Sequence, residues 1–270
     1  MSTALIPNEI LDPILEHLLF ISHTDFLQPR ITRFANTTVD QSPPIPRNAH
    51  LLLVCKLWLS VGERHLYACV RLASRAQIET VAALVCAHPA LGLAIRCLRL
   101  EGGDGPGIAD IARRAPNLLG LCIDVEAVYA ADTHGLADAL PLLHPVELAL
   151  QETTFGGEET RALRALINEH IEGVWTSLRS VVISDDGKTE AIEPIRALGR
   201  AIALSNVEEI HCLGFCVLGI WIRDPPSPRV FDSTSLRRVW CAGPMILMLL
   251  SRSLQSFGYG PEVVNKFTCH

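Results

Sequence analysis

The sequence predicts an α+β protein: a helical N-terminal module over residues 1–75, followed over residues 76–270 by an irregular α/β solenoid on a parallel sheet. Three observations predict it. Apolar residues recur at three- and four-residue steps within the first sixty positions. After residue 90 a short L-x-x-L-x-L frame returns six times, and helical patterns fall between the frames. A chain of 270 residues with 49% hydrophobic and 19% charged residues lies far from the composition of disorder and can bury a core without staples.

The module opens at Ile6-Pro7-Asn8-Glu9-Ile10, with Pro7 at a first-turn position and Ile10, Leu11, Ile14, Leu15 and Leu18 in helical phase. Pro13 lies inside that pattern, where its missing amide and its ring predict a kink or a break. Residues 28–50 lose periodicity and contain Pro43-Pro44-Ile45-Pro46, so they read as a loop insertion. Leu51 to Trp58 is apolar nearly all round and reads as a short helix packed on two sides.

Ile6-Pro7-x-Glu9-Ile10, Ile14-Leu15 and Leu18, followed by Leu53-Val54-Cys55-Lys56-x-Trp58, resemble the F-box, the helical module that docks substrate receptors onto a Skp-type adaptor of a cullin-RING ubiquitin ligase. The continuation through Val61-Gly62, Leu66-Tyr67, Val70-x-Leu72-x-Ser74, Pro89-x-Leu91-Gly92 and Ile95-Arg96-x-Leu98-Arg99-Leu100-Glu101-Gly102-Gly103 resembles the F-box-like proteins of mushroom-forming fungi. The likeness covers roughly residues 5–103, apart from the loop. Ile6 replaces the family's usual Leu, and the stretch before Val54-Cys55-Lys56-x-Trp58 is longer than the family's; Thr24-Asp25-Phe26-Leu27 fits its middle element. The resemblance implies that Ile6, Pro7, Ile10, Ile14, Leu15, Val54, Cys55 and Trp58 form or support an adaptor-docking surface. It also implies that the rest of the chain binds a target protein and that catalysis belongs to the ligase.

The six frames begin at Ile95, Leu118, Pro145, Leu178, Val207 and Leu236, and their central residues are 23 to 33 positions apart, within or just beyond leucine-rich-repeat spacing. Helical patterns surround them at Ile78-Val81-Val85, Ile108-Ile111, Leu163-Leu166-Ile167, Ile192-Ile195-Leu198-Ile202 and Met245-Leu249. Strand alternation sends the frame residues, Cys212 and Cys241 included, to the core, and sends Arg99, Glu101, Asp124, Glu147, Glu209, His211, Arg238 and Trp240 outward. Repeated strand faces form continuous binding walls, so these eight are the expected target-binding face.

Gly102-Gly103-Asp104-Gly105-Pro106-Gly107 between a strand and a helix, with Asp124 about twenty residues on, raises the alternative of a nucleotide-binding enzyme. Ile108 stands where the third glycine belongs, Asp104 repels a pyrophosphate and Pro106 lacks an amide donor, so a tight turn is the preferred reading. His211-Cys212-x-x-x-Cys216 has metal-ligand chemistry, but His211 and Cys212 point to opposite faces of a strand, and no second close pair follows. Asp185-Asp186 and Glu158-Glu159 read as helix caps. No hydrolase, protease or active-site cysteine signature is present, and no cofactor is implied.

Charge narrows the partners. Residues 1–75 hold seven Lys/Arg and six Asp/Glu, while residues 76–270 hold sixteen and twenty-three, for a total of −6, which lacks the basic excess of a nucleic-acid surface. No apolar run approaches the length of a membrane span. Nine scattered cysteines suit a reducing, intracellular compartment, cytoplasmic or nuclear. The remaining alternative is a solenoid interaction scaffold without ligase association.

Overall fold

The structure, a computed structural model, describes residues 6–19, 21–27, 48–102, 105–125, 134–151, 160–184, 192–212, 216–223, 230–241, 254–255 and 259–269. Among the described residues it is a mixed helix and strand fold on one parallel sheet whose eight strands follow one another in chain order.

Helix α1 (Asn8–Leu19) starts where the Pro7 carbonyl accepts the amides of Ile10 and Leu11, both at 3.0 Å. It runs on through Pro13 rather than breaking there, at the loss of the one amide that would bond back to the preceding turn. Its buried edge is Leu11, Leu15 and Leu19, while Ile10 and Ile14 are exposed.

The helix expected over Leu51–Trp58 is two elements. A 3-10 turn over Ala49–Leu53 ends at Val54, Cys55 turns extended (φ −162°, ψ 169°), and α3 begins at Lys56 and runs to Leu66. The tight turn buries Leu52 and leaves Leu53 82% and Val54 62% exposed, so this run is not packed on two sides. Of the expected loop, 28–47 lie outside the described residues, and 48–50 lead into the turn.

Leu11, Leu15, Leu19 and Leu52 form the centre of this helical part, with Leu57, Trp58, Val61 and Leu66 packed around them. Asp12 of α1 ties it to α3 through His65 Nε2 at 2.7 Å and through Arg64.

Strand β1 (Cys69–Leu72) follows at once and pairs in parallel with β2 (Cys97–Leu100), so part of the first seventy-five residues belongs to the sheet. Between them lie α4 (Arg75–Ala87), capped by Ser74, and the short α5 (Pro89–Ala94). Then come α6 (Gly107–Arg114), β3 (Gly120–Asp124), α7 (His134–Ala139), β4 (Glu147–Gln151), α8 (Arg161–Glu169), β5 (Ser180–Ser184), α9 (Ile192–Leu204) and β6 (Glu209–Cys212). Helix α10 (Cys216–Arg223), β7 (Arg238–Cys241), α11 (Pro261–Val264) and β8 (Phe267–Cys269) follow.

The six frames are thus β2 to β7, and β1 and β8 extend the sheet at either end. Helices α7 and α10 have no counterpart in the periodicity, and the patterns at Met245–Leu249, Glu158-Glu159 and Asp185-Asp186 lie outside the described residues. The unit recurs in the backbone too. The carbonyls of Ala68, Arg96, Leu119, Val146, Arg179 and Glu208 each accept the two amides that lead into the next strand.

The frame residues form the main core beneath the helices: Leu98, Leu121, Leu148, Val181, Ile210 and Val239 are fully buried. Two indoles complete it without stranding a donor, Trp175 Nε1 giving to the Leu140 carbonyl (3.2 Å) and Trp221 Nε1 to that of Ile195 (2.7 Å).

Candidate functional site

The helical part carries the first candidate surface. Ile6, Ile10 and Ile14 are 45%, 55% and 42% exposed, and Pro7, Val54 and Cys55 are exposed as well. Trp58 is half-buried on the small core, and Leu15 is fully buried within it. Leu15 therefore supports this surface from beneath rather than contacting a partner. Six of the eleven exposed large aliphatic side chains among the described residues lie between Ile6 and Leu59. Such a concentration marks an interaction surface more than a solvated face.

The second candidate surface is the sheet face opposite the helices, and it departs from expectation. Residues 21–27 lie on it. Helix α2 (His23–Leu27) packs against β2 and β3, burying Phe26 and Leu27 with Cys97, Cys122 and Ala149, and with Ile21, Cys69 and Val182 at the edge. The resemblance makes Thr24 to Leu27 the middle of the helical module; in the structure they cover the sheet instead.

Arg99 is consequently buried, not displayed. Its Nη1 donates to the Phe26 carbonyl (2.9 Å), its Nη2 to Gln151 (3.1 Å) and its Nε to Glu101 (2.5 Å). Glu101 also receives Arg71, and its side chain is 10% exposed. Arg99 and Glu101 are therefore removed from the expected target-binding face, because two facing residues on adjacent strands close an ion network under α2. Burial pushes the Glu101 carboxyl up, but the hydrogen bonds from Arg71 and Arg99 outweigh it and hold it below the ordinary range.

Glu147 sits at the border, with His23 Nδ1 3.5 Å from its carboxylate. Asp124 ends β3, one of the strands under α2, and beyond Glu147 the face continues with Glu209, His211, Arg238 and Trp240. His211 and Trp240, register partners on β6 and β7, stack at 5.8 Å, and the Arg238 guanidinium lies 5.9 Å over the indole while pairing with Glu209. This is a half-buried stacked aromatic pair with both charge signs beside it.

Small side chains on the outward slots of β2, β3 and β4 are the signal that could have revealed α2. Cys97, Gly120, Cys122 and Ala149 stand where a solvated strand face carries polar residues. Gly120 is decisive, since a Cβ there would lie 2.5 Å from His23 Nε2 and 2.6 Å from Leu27 Cδ1.

Cys69 and Cys97 are register partners on β1 and β2, and Cys69 packs against the cluster that buries Cys97. The contact pulls the Cys69 thiol below its ordinary range and, together with burial and nearby Glu147, pushes Cys97 well above it.

The glycine loop is accounted for by backbone needs. Gly102 and Gly105 adopt φ of 146° and 110°, and Gly135 packs on the Gly105 carbonyl too closely for any Cβ; Gly103 and Asp104 lie outside the described residues. Cys212 is buried on the core side and His211 lies on the other face. Among the described residues, no group of three or more His, Cys, Asp or Glu is placed to hold a metal ion, and no helix is long and apolar enough to cross a membrane. No protein-family model and no curated protein matches this chain.

Proposed function

We propose that this chain is a substrate receptor of a Skp-cullin-F-box type ubiquitin ligase, non-catalytic itself, docking a Skp-type adaptor with its helical part and a target protein with the sheet face beyond α2. The observation that carries this reading is the exposed aliphatic set of Ile6, Ile10, Ile14, Leu53 and Val54 on a helical part that already has its own core. The resemblance of those positions to the F-box supports the identity of the partner. A leucine-rich-repeat-like solenoid is the finer description we give the sheet, supported by the recurring strand-entry hydrogen bonds. Target recognition then falls to Glu209, His211, Arg238 and Trp240, with Glu147 and Asp124 at the margin.

The test is a binding assay between the purified chain and a fungal Skp-type adaptor, comparing wild type with Ile10→Glu/Ile14→Glu. Both positions are exposed, so the variant keeps its fold, and placing two carboxylates in an apolar interface is expected to weaken binding at least about tenfold. A folded wild type that does not bind the adaptor overturns the ligase reading and leaves an interaction scaffold.

A further inference from the structure

A cleft of about 410 Å³ separates the helical part from the leading ends of β1 and β2. Leu19, Ile21 and Leu66 give it apolar walls, and Cys69, Cys97 and His23 line it as well. The two cysteines are held by the sheet itself. They are register partners on adjacent parallel strands, on the side away from the main core, and they share one apolar cluster there. Neighbouring strands hold such a pair at about 4.8 Å between backbones without help from any loop. His23 turns Nδ1 toward Glu147 at 3.5 Å and leaves Nε2 buried without a hydrogen-bond partner.

A second in-register pair, Cys212 and Cys241, faces the main core, and neither of its members lines this cleft. Cys69 and Cys97 thus differ from it in access rather than in spacing.

Paired thiolates are soft ligands and favour soft ions. Zinc takes three or four protein ligands, and no such group surrounds the pair among the described residues. We propose that Cys69 and Cys97 form a two-coordinate site for a soft monovalent cation of the Cu(I) class, reached through this cleft. Two Cu–S bonds form as two S–H bonds break, both protons leave to solvent and the copper stays Cu(I), so no oxidant or reductant takes part. The resulting bis-thiolate carries one negative charge, and Arg64 and Arg96 stand with Glu16 among the residues that line the cleft.

The experiment is an anaerobic titration of the full chain with Cu(I) against bicinchoninate as competitor, in parallel with Cys69→Ala/Cys97→Ala. One Cu(I) per wild-type chain is expected, with at least a tenfold loss of affinity in the variant. Equal stoichiometry and affinity in a folded variant overturn the site. A second measurement needs no variant: Cu(I)-loaded and metal-free wild type are alkylated and mapped by peptide mass. Protection confined to Cys69 and Cys97 supports the site, and protection elsewhere, or none, overturns it.

Discussion

Gly120→Val isolates the contact between α2 and the sheet. The first added carbon would sit 2.5 Å from His23 Nε2 and 2.6 Å from Leu27 Cδ1, a full ångström inside ordinary contact, and the two methyls of valine deepen the clash. Strand β3 is held on both sides by β2 and β4, so the displaced partner is α2. Overpacking of this kind costs about 1–3 kcal/mol. Lifting α2 exposes Phe26 and Leu27, now 6% and 2% accessible, and releases the bond from Arg99 to the Phe26 carbonyl. Urea unfolding followed by tryptophan fluorescence reads the loss as a lower midpoint. Hydrogen exchange reads its location, with faster exchange at the Phe26 amide, which bonds the Ser22 carbonyl at 2.9 Å. Gly173→Ala is the control, because a Cβ there meets nothing within 4 Å, and it should change stability by less than about 0.5 kcal/mol. A Gly120→Val protein as stable as wild type, with unchanged exchange over 21–27, would refute the packing of α2 on the sheet.

Two further outcomes follow from the ion networks. Arg99→Ala should cost about 2 kcal/mol in chemical denaturation; this is less than a fully orphaned buried carboxylate because Arg71 still pairs with Glu101, and Arg99→Lys should recover little of it since a single ammonium cannot reach Glu101, Gln151 and the Phe26 carbonyl together. Asp12, held down to about 2 by hydrogen bonds from Arg64 and His65, favours the folded state above the ordinary carboxyl value of 3.8, and this contribution fades as pH falls from there through about 2. Because the pair faces solvent in part, the effect is at most about 1 kcal/mol. Asp12→Asn should therefore lower stability at pH 7 and converge with wild type near pH 2 in acid titrations followed by circular dichroism.

The small core of the helical part shows how far periodicity reaches. Leu11 and Leu15 were legible from their spacing, but the same spacing is shared by Ile10 and Ile14, and only packing against Leu52 decides which pair is buried. Val54 and Cys55 read as helix interior because they are apolar; the backbone breaks there because the short turn has one buried position to offer, taken by Leu52.

By itself the sequence determined six of the parallel strands, β2 to β7, and their core-facing residues, because the L-x-x-L-x-L frame is local and strand geometry forces alternate side chains to opposite sides; β1 and β8 carry no such frame. It also determined that Arg99, Glu101, Glu209, His211, Arg238 and Trp240 share the other side. Only the tertiary structure decided what covers that side. Phe26 and Leu27 reach Ala149 across more than a hundred residues of chain, and alternation fixes the face a side chain takes without fixing what packs on it. Arg99 was therefore read as a contact residue and is buried under α2, while His211 and Trp240, on strands that helix does not cover, stack on each other.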